Sequence, residues 1–149
     1  MTYREEQRNL FLVDYDYYFA QCISADFAMG AGIAIQFNRY FDMKRRLTDK
    51  YYSWIDRWDH FPEERGTCIF ENRVYNLITK RNYWNKPTID TMRSALKSMK
   101  VCVQNNPEVK KIAMPKIGCG MDKLDWSAVR AVIQEIFADV NVEILVCYQ

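Results

Sequence analysis

Met114-Pro115-Lys116-Ile117-Gly118-Cys119-Gly120-Met121-Asp122 is the stretch around which this chain organises. Before it, Lys111-Ile112-Ala113-Met114 is a short apolar run of the kind a buried strand uses; after it, from Asp125 to Phe137, apolar residues recur at helical spacing. The segment between them is therefore a turn from strand to helix. Pro115 ends the strand, Gly118 and Gly120 admit backbone angles closed to other residues, and the amides of such a turn can cradle an anion beside a helix N-terminus. Asp122 does not fit an anion cradle, because a carboxylate repels a phosphate. Its position calls for either a structural partner or a chemical task.

Glycine usage points to a second turn of the same kind. The 149 residues hold only five glycines; Gly66 sits in an ordinary turn, and the others form two Gly-x-Gly pairs, Gly30-Ala31-Gly32 and Gly118-Cys119-Gly120. The first pair follows Tyr17 to Ser24, a nearly continuous apolar run suited to a central strand covered on both faces, and it opens a helix over Ile33 to Phe41. Two glycine turns after strands imply close approach of the backbone to a ligand at both.

Outward from these turns the remaining elements follow from periodicity and breakers. Asn9 to Val13 reads as a strand or strand end, and Asp42 to Trp58 as one helix, with Trp54 and Trp58 packing on one face. Thr67 to Phe70 and Val74 to Thr79 read as two strands around Glu71-Asn72-Arg73. Pro87 opens a helix over Thr88 to Val103, Asn105-Asn106-Pro107 ends it, and Val142 to Cys147 is a last strand. Strands alternating with helices predict an α/β fold of three layers with a mixed, largely parallel central sheet. In such sheets ligands bind beyond the carboxyl ends of the strands. Ser24, the Gly30 turn, Lys80 and the Gly118 turn all follow strands, and parallel neighbours would bring all four into one cleft.

Composition bounds the function classes. The length predicts a single domain over residues 1–149, with 49% hydrophobic residues to fill its core, and a monomer is expected. No apolar run is long enough for a membrane span, and Met1-Thr2-Tyr3-Arg4-Glu5-Glu6 lacks the apolar core of a signal peptide, so an intracellular protein, nuclear or cytoplasmic, is expected. Five cysteines without a C-x-x-C pair argue against a disulfide framework and a zinc site. A net charge of +2 does not by itself imply nucleic acid; Lys44-Arg45-Arg46 reads as a solvated face.

Two glycine turns suit a diphosphate gripped from both sides, and hence a nucleotide-diphosphate compound, although neither turn is a standard dinucleotide or triphosphate fingerprint. A thiolate at Cys119 is a second chemistry to weigh, but it would want a histidine, and the only one, His60, falls in the charged stretch Arg57 to Arg65. A metal-ligating cluster is not evident in the sequence.

Cys22 to Ala34, Tyr75-Asn76-Leu77-Ile78-Thr79-Lys80 and Met114 to Asp122 closely resemble the macro domains, and within them the terminal ADP-ribose protein glycohydrolase subfamily. The resemblance runs from about Asn9 to the C-terminus. It implies the macro-domain fold, ADP-ribose binding, and removal of ADP-ribose from acidic side chains of proteins; relatives act on O-acetyl-ADP-ribose and on ADP-ribosylated DNA bases. By this resemblance Lys80 is the nucleophile at the distal ribose C1″ and Asp122 the acid/base. A lysine at its ordinary pKa of roughly 10.4 is protonated and inert at neutral pH; burial lowers such a value and a neighbouring carboxylate raises it. From the residues alone, the pair could equally be a salt bridge without chemistry.

The resemblance further assigns Met29, Gly30, Ala31, Gly32, Ile33 and Ala34, with Pro115, Lys116, Ile117, Gly118, Cys119, Gly120 and Met121, to the diphosphate and distal ribose. Ser24 is expected near the ribose, Asn9 and Leu10 at the adenine end, and Gln149 near the nucleotide. The family usually has an aspartate at the position of Asn9, so weaker or less selective adenine recognition is expected here, with the amide oxygen left as acceptor. Tyr83 and Trp84 could close over the distal ribose or pack on the next helix. No metal or soluble cofactor is implied. The competing readings are a non-enzymatic ADP-ribose reader and a hydrolase of small ADP-ribose derivatives or of ADP-ribosylated DNA.

Overall fold

A computed structural model describes residues 1–149. Its six strands are β1 (Thr2–Gln7), β2 (Tyr18–Ser24), β3 (Thr67–Glu71), β4 (Val74–Lys80), β5 (Lys111–Met114) and β6 (Glu143–Tyr148). Its helices are α1 (Ala34–Phe41), α2 (Met43–Lys50), α3 (Trp54–His60), α4 (Ile89–Gln104) and α5 (Trp126–Phe137). The strands form one mixed sheet in the order β1-β6-β5-β2-β4-β3, parallel except for the β3–β4 hairpin. Asn72 and Arg73 turn that hairpin at φ 44° and 70°, the left-handed pair that a two-residue connection needs to follow the strand twist.

Side-chain alternation sorts the core into two layers. In β5 and β6, Ile112, Met114, Ile144 and Val146 face α4 and α5, whereas Ala113, Leu145 and Cys147 face α1 and α2. Helix α4 meets the sheet with Met92, Leu96, Met99 and Val103, recurring at three and four residues, and Thr88 caps it by accepting from the Thr91 amide at 3.1 Å. On the opposite face Phe37, Met43 and Leu47 are wholly buried. The expected α/β/α sandwich with a largely parallel sheet is what the chain adopts. No helix is long and apolar enough to cross a membrane.

Two expectations are corrected. The strand expected over Asn9 to Val13 is a 3₁₀ turn, Leu10–Leu12, and the strand lies earlier, at β1 on the sheet edge. Thr2–Gln7 is too polar to announce itself; parallel pairing with β6, from Thr2 opposite Glu143 to Gln7 opposite Tyr148, determines it. The helix expected over Asp42 to Trp58 is two helices, broken at Tyr51 to Ser53. Leu47, Tyr51, Trp54 and Trp58 keep helical phase across the break, so periodicity is blind to it. Trp54 and Trp58 pack, half-buried, against the core as expected.

Candidate active site

The carboxyl ends of β5, β2 and β4 lie side by side, because these strands are consecutive and parallel in the sheet. Ser24 pairs with Lys80 across an irregularity in register after Ile23. Beyond these ends lies a cleft of ≈ 820 Å³, lined by the Gly30 and Gly118 turns, Lys80, Tyr83, Trp84, Lys86 and Asp122. A second cavity of ≈ 380 Å³ is lined by Asn9, Leu10, Phe11, Cys119, Cys147, Tyr148 and Gln149. Ile33, Pro115, Lys116 and Gly120 line both, so the two spaces adjoin at a waist between the glycine turns. Every residue singled out for the site in the sequence lines one space or the other.

The waist is built from backbone amides. Helix α1 starts without a side-chain cap, and the amides of Gly30 to Ala34 and of Gly120 to Asp122 donate to no acceptor within the protein. Free amides at a helix N-terminus and in a glycine turn are an anion site by construction. Gly118 has φ 72°, and a Cβ there would stand 2.7 Å from Met92 Cε and 3.0 Å from Leu124 Cδ1. Gly120 has no left-handed φ, contrary to the sequence reading, and nothing stands within 4 Å of its missing Cβ. Lys116 adds a cation at the waist, resting Nζ 4.5 Å from the Tyr148 ring.

At the far end of the larger cleft, Lys80 Nζ donates to Asp122 Oδ1 at 2.6 Å and to the Tyr83 carbonyl at 3.1 Å. The side chains are 13% and 15% exposed, sheltered yet facing the cleft. A plain salt bridge satisfies the same distance; its position in the wall of a deep cleft distinguishes it from the surface pairs that contribute little. Tyr83 and Trp84 do not pack on the next helix. They stand exposed at the rim, edge to face with ring centroids 5.0 Å apart.

Asp26 organises this rim, a role that sequence reading passed over. Its carboxylate accepts from the Ala28 amide at 3.1 Å, the Tyr83 amide at 3.0 Å and the Ser24 hydroxyl. The Ser24 hydroxyl is thus committed to Asp26, and the residue is buried. An aspartate followed two residues later by a loop amide was the available signal. Asn9 Oδ1 accepts from the Phe11 amide at 2.9 Å, so the oxygen expected to read adenine also caps the 3₁₀ turn. Burial and the Asp125 carboxylate push the Cys119 thiol up to about 11, the opposite of what a thiolate nucleophile needs. His60 is exposed at the end of α3 and lines neither space.

No family model matches the chain. It is 35% identical over 132 residues to the ADP-ribose glycohydrolase OARD1 of Homo sapiens, covering 85% of this chain and 78% of that protein. It is 28% identical over 115 residues to a DNA ADP-ribosyl glycohydrolase of Thermus aquaticus, covering 72% of this chain and 30% of that one. Among solved structures, the macrodomain of Mycobacterium tuberculosis DarG superposes with a TM-score of 0.81 at 17% identity, over 99% of this chain and 98% of the other.

Proposed function

This chain belongs to the macro domains of the terminal ADP-ribose glycohydrolase type, and from that premise we propose that it binds ADP-ribose along the cleft and removes it from acidic side chains of proteins through a covalent intermediate on Lys80. The base would occupy the space at Asn9, Leu10 and Gln149, the diphosphate the amides of the two glycine turns, and the distal ribose the end at Lys80 and Asp122. The single observation that carries the reading is the 2.6 Å contact between Lys80 Nζ and Asp122 Oδ1 inside that cleft. A reader domain has no need of a nucleophile and proton acceptor there.

In the proposed reaction the Lys80 ammonium passes a proton to Asp122, and the free amine attacks C1″. The Nζ–C1″ bond forms as the bond from C1″ to the ester oxygen breaks, and the carboxylate leaves with its electron pair. Asp122, its proton lost to solvent, then takes a proton from a water that attacks C1″. The C1″–Nζ bond breaks with its electrons returning to nitrogen, and the proton moves from Asp122 to Nζ. Both acid/base and nucleophile are side chains of this chain, so the reaction draws on no metal or cofactor. A monomer acting inside the cell, in nucleus or cytoplasm, goes with this reading.

The test is release of ADP-ribose from a glutamate-linked, auto-modified transferase, with calorimetric binding of ADP-ribose alongside. Lys80→Ala and Asp122→Ala should each lower release by about 10²-fold or more while binding persists. Binding without any release by the wild type would instead identify a reader or a hydrolase of small esters. A second reading, removal of ADP-ribose from a nucleobase of single-stranded DNA, is favoured by the exposed rings of Tyr83 and Trp84 beside Lys80, since aromatic faces stack on bases.

A further inference from the structure

Resting on the glycohydrolase mechanism proposed for the cleft, we propose that Lys86 is a further catalytic residue, whose ammonium receives the carboxylate as it leaves C1″. The charged side chains that line the larger cleft are Lys80, Lys86, Lys116 and Asp122. Lys116 stands at the waist beside the Tyr148 ring, and Lys80 and Asp122 are engaged with each other at 2.6 Å. Lys86 has no carboxylate partner. Its Nζ donates to the carbonyl of Met121, the residue next to Asp122, at 3.1 Å. An ammonium carries three N–H donors, so Lys86 has donors left for a ligand.

The role of Lys86 follows from where the leaving group must go. Lys80 and Asp122 are sheltered, whereas Tyr83, Trp84, Asn85 and Lys86 on one side of the mouth and Gly120 and Met121 on the other are exposed. A protein joined to C1″ through its carboxylate lies outside the cleft, and the ester passes between these two segments. As the bond from C1″ to the ester oxygen breaks, its electron pair goes to that oxygen and a full negative charge spreads over the carboxylate. No proton is needed, because a carboxylate is stable as the anion at neutral pH. What it lacks is a counter-charge. The proton passed from Lys80 to Asp122 leaves both neutral, and the Ser24 hydroxyl donates to Asp26. Lys86 supplies that charge at the mouth and keeps its own proton throughout; a positioned cation lowers the barrier when it meets charge that develops only in the transition state. The hydrogen bond to Met121 also straps the two sides of the mouth together, but any donor could do that, whereas receiving an anion calls for charge.

The experiment is single-turnover release of ADP-ribose from the glutamate-linked, auto-modified transferase and from C1″ esters of ADP-ribose with para-nitrobenzoic and para-methoxybenzoic acid, with calorimetric binding of ADP-ribose alongside. Lys86→Gln, which keeps a donor for Met121 but no charge, should lower release about tenfold at unchanged ADP-ribose affinity. The loss is smaller than for an enclosed oxyanion donor because water screens the mouth. Lys86→Arg keeps the charge and should release within about threefold of the wild type. In Lys86→Gln the loss should be about twofold greater for the methoxybenzoate than for the nitrobenzoate, which disperses more of its own charge. Release by Lys86→Gln at the wild-type rate, release by Lys86→Arg as low as by Lys86→Gln, or the same loss with both benzoates overturns the proposal while leaving the glycohydrolase reading intact. Binding of ADP-ribose by the wild type without release from any of the substrates overturns the two together. Retained ADP-ribose binding shows that each variant is folded.

Discussion

At the scale of the residue, the cleft depends on a side chain that does not line it. Asp26 joins the Gly30 turn to the rim that carries Tyr83, and the Tyr83 carbonyl in turn receives Lys80 Nζ. Asp26→Ala would leave two loop amides without their acceptor and free the segment against which Lys80 is positioned. On the mechanism proposed above, we expect ADP-ribose release to fall roughly tenfold or more, since small misplacements of a nucleophile are expensive. Unfolding free energy should fall by only about 1–2 kcal/mol. Steady-state kinetics beside thermal unfolding checks this, and unchanged kinetics with a lowered melting temperature would reduce Asp26 to a structural residue. The motifs themselves displayed Lys80, Asp122 and both glycine turns. They did not display what Asn9 Oδ1 and the Ser24 hydroxyl were bonded to, because a polar side chain's partner depends on where the chain goes next.

At the scale of the element, β1 is held by a contact remote from it in sequence. Glu5 accepts from Tyr3, from Trp126 Nε1 at 3.1 Å and from Arg130 Nε at 2.6 Å, tying the edge strand to α5. Partial burial opposes ionisation of Glu5, but the hydrogen bonds from Tyr3, Arg130 and Trp126 outweigh it and hold the carboxyl below its ordinary value. A depressed folded-state value stabilises the fold above the unfolded-state pKa of roughly 4.3, and that contribution is lost as pH falls through the folded value. Glu5→Gln should cost on the order of 1 kcal/mol at neutral pH, with the partly exposed pair discounted for screening, and should flatten the acid limb of the stability profile. Urea unfolding from pH 3 to 7 would reveal it; parallel profiles for wild type and variant would refute the assignment.

At the scale of the molecule, the two faces of the sheet carry separate apolar layers, and Phe37 in one of them backs the wall of the smaller cavity. Phe37 is wholly buried with its ring 5.0 Å edge-on to Phe11, which lines the smaller cavity, whereas Met99, on α4, is wholly buried on the other face of the sheet. Phe37→Leu and Met99→Val should each cost about 1–2 kcal/mol of stability. Only Phe37→Leu should also weaken ADP-ribose binding, by about threefold or more, because only it loosens a wall of the cavity. Calorimetry well below the melting temperature separates the two; equal affinity losses would contradict the layered account.

The sequence by itself determined what is local. Nearly continuous apolar runs placed β2, β4, β5 and β6, helical spacing placed α4 and α5, and two glycine pairs after strands marked where backbone amides would be left free. Tertiary structure alone decided what depends on strand order. Polar β1 became a strand only through the β6 edge it pairs with, and the break between α2 and α3 leaves the apolar phase unaltered. Lys80 and Asp122 are 42 positions apart and meet at 2.6 Å only because β4, β2 and β5 run parallel as neighbours. Period and propensity act over a few residues, whereas the proximity of two side chains across a sheet is set by which strands share hydrogen bonds, a choice made by the whole chain at once.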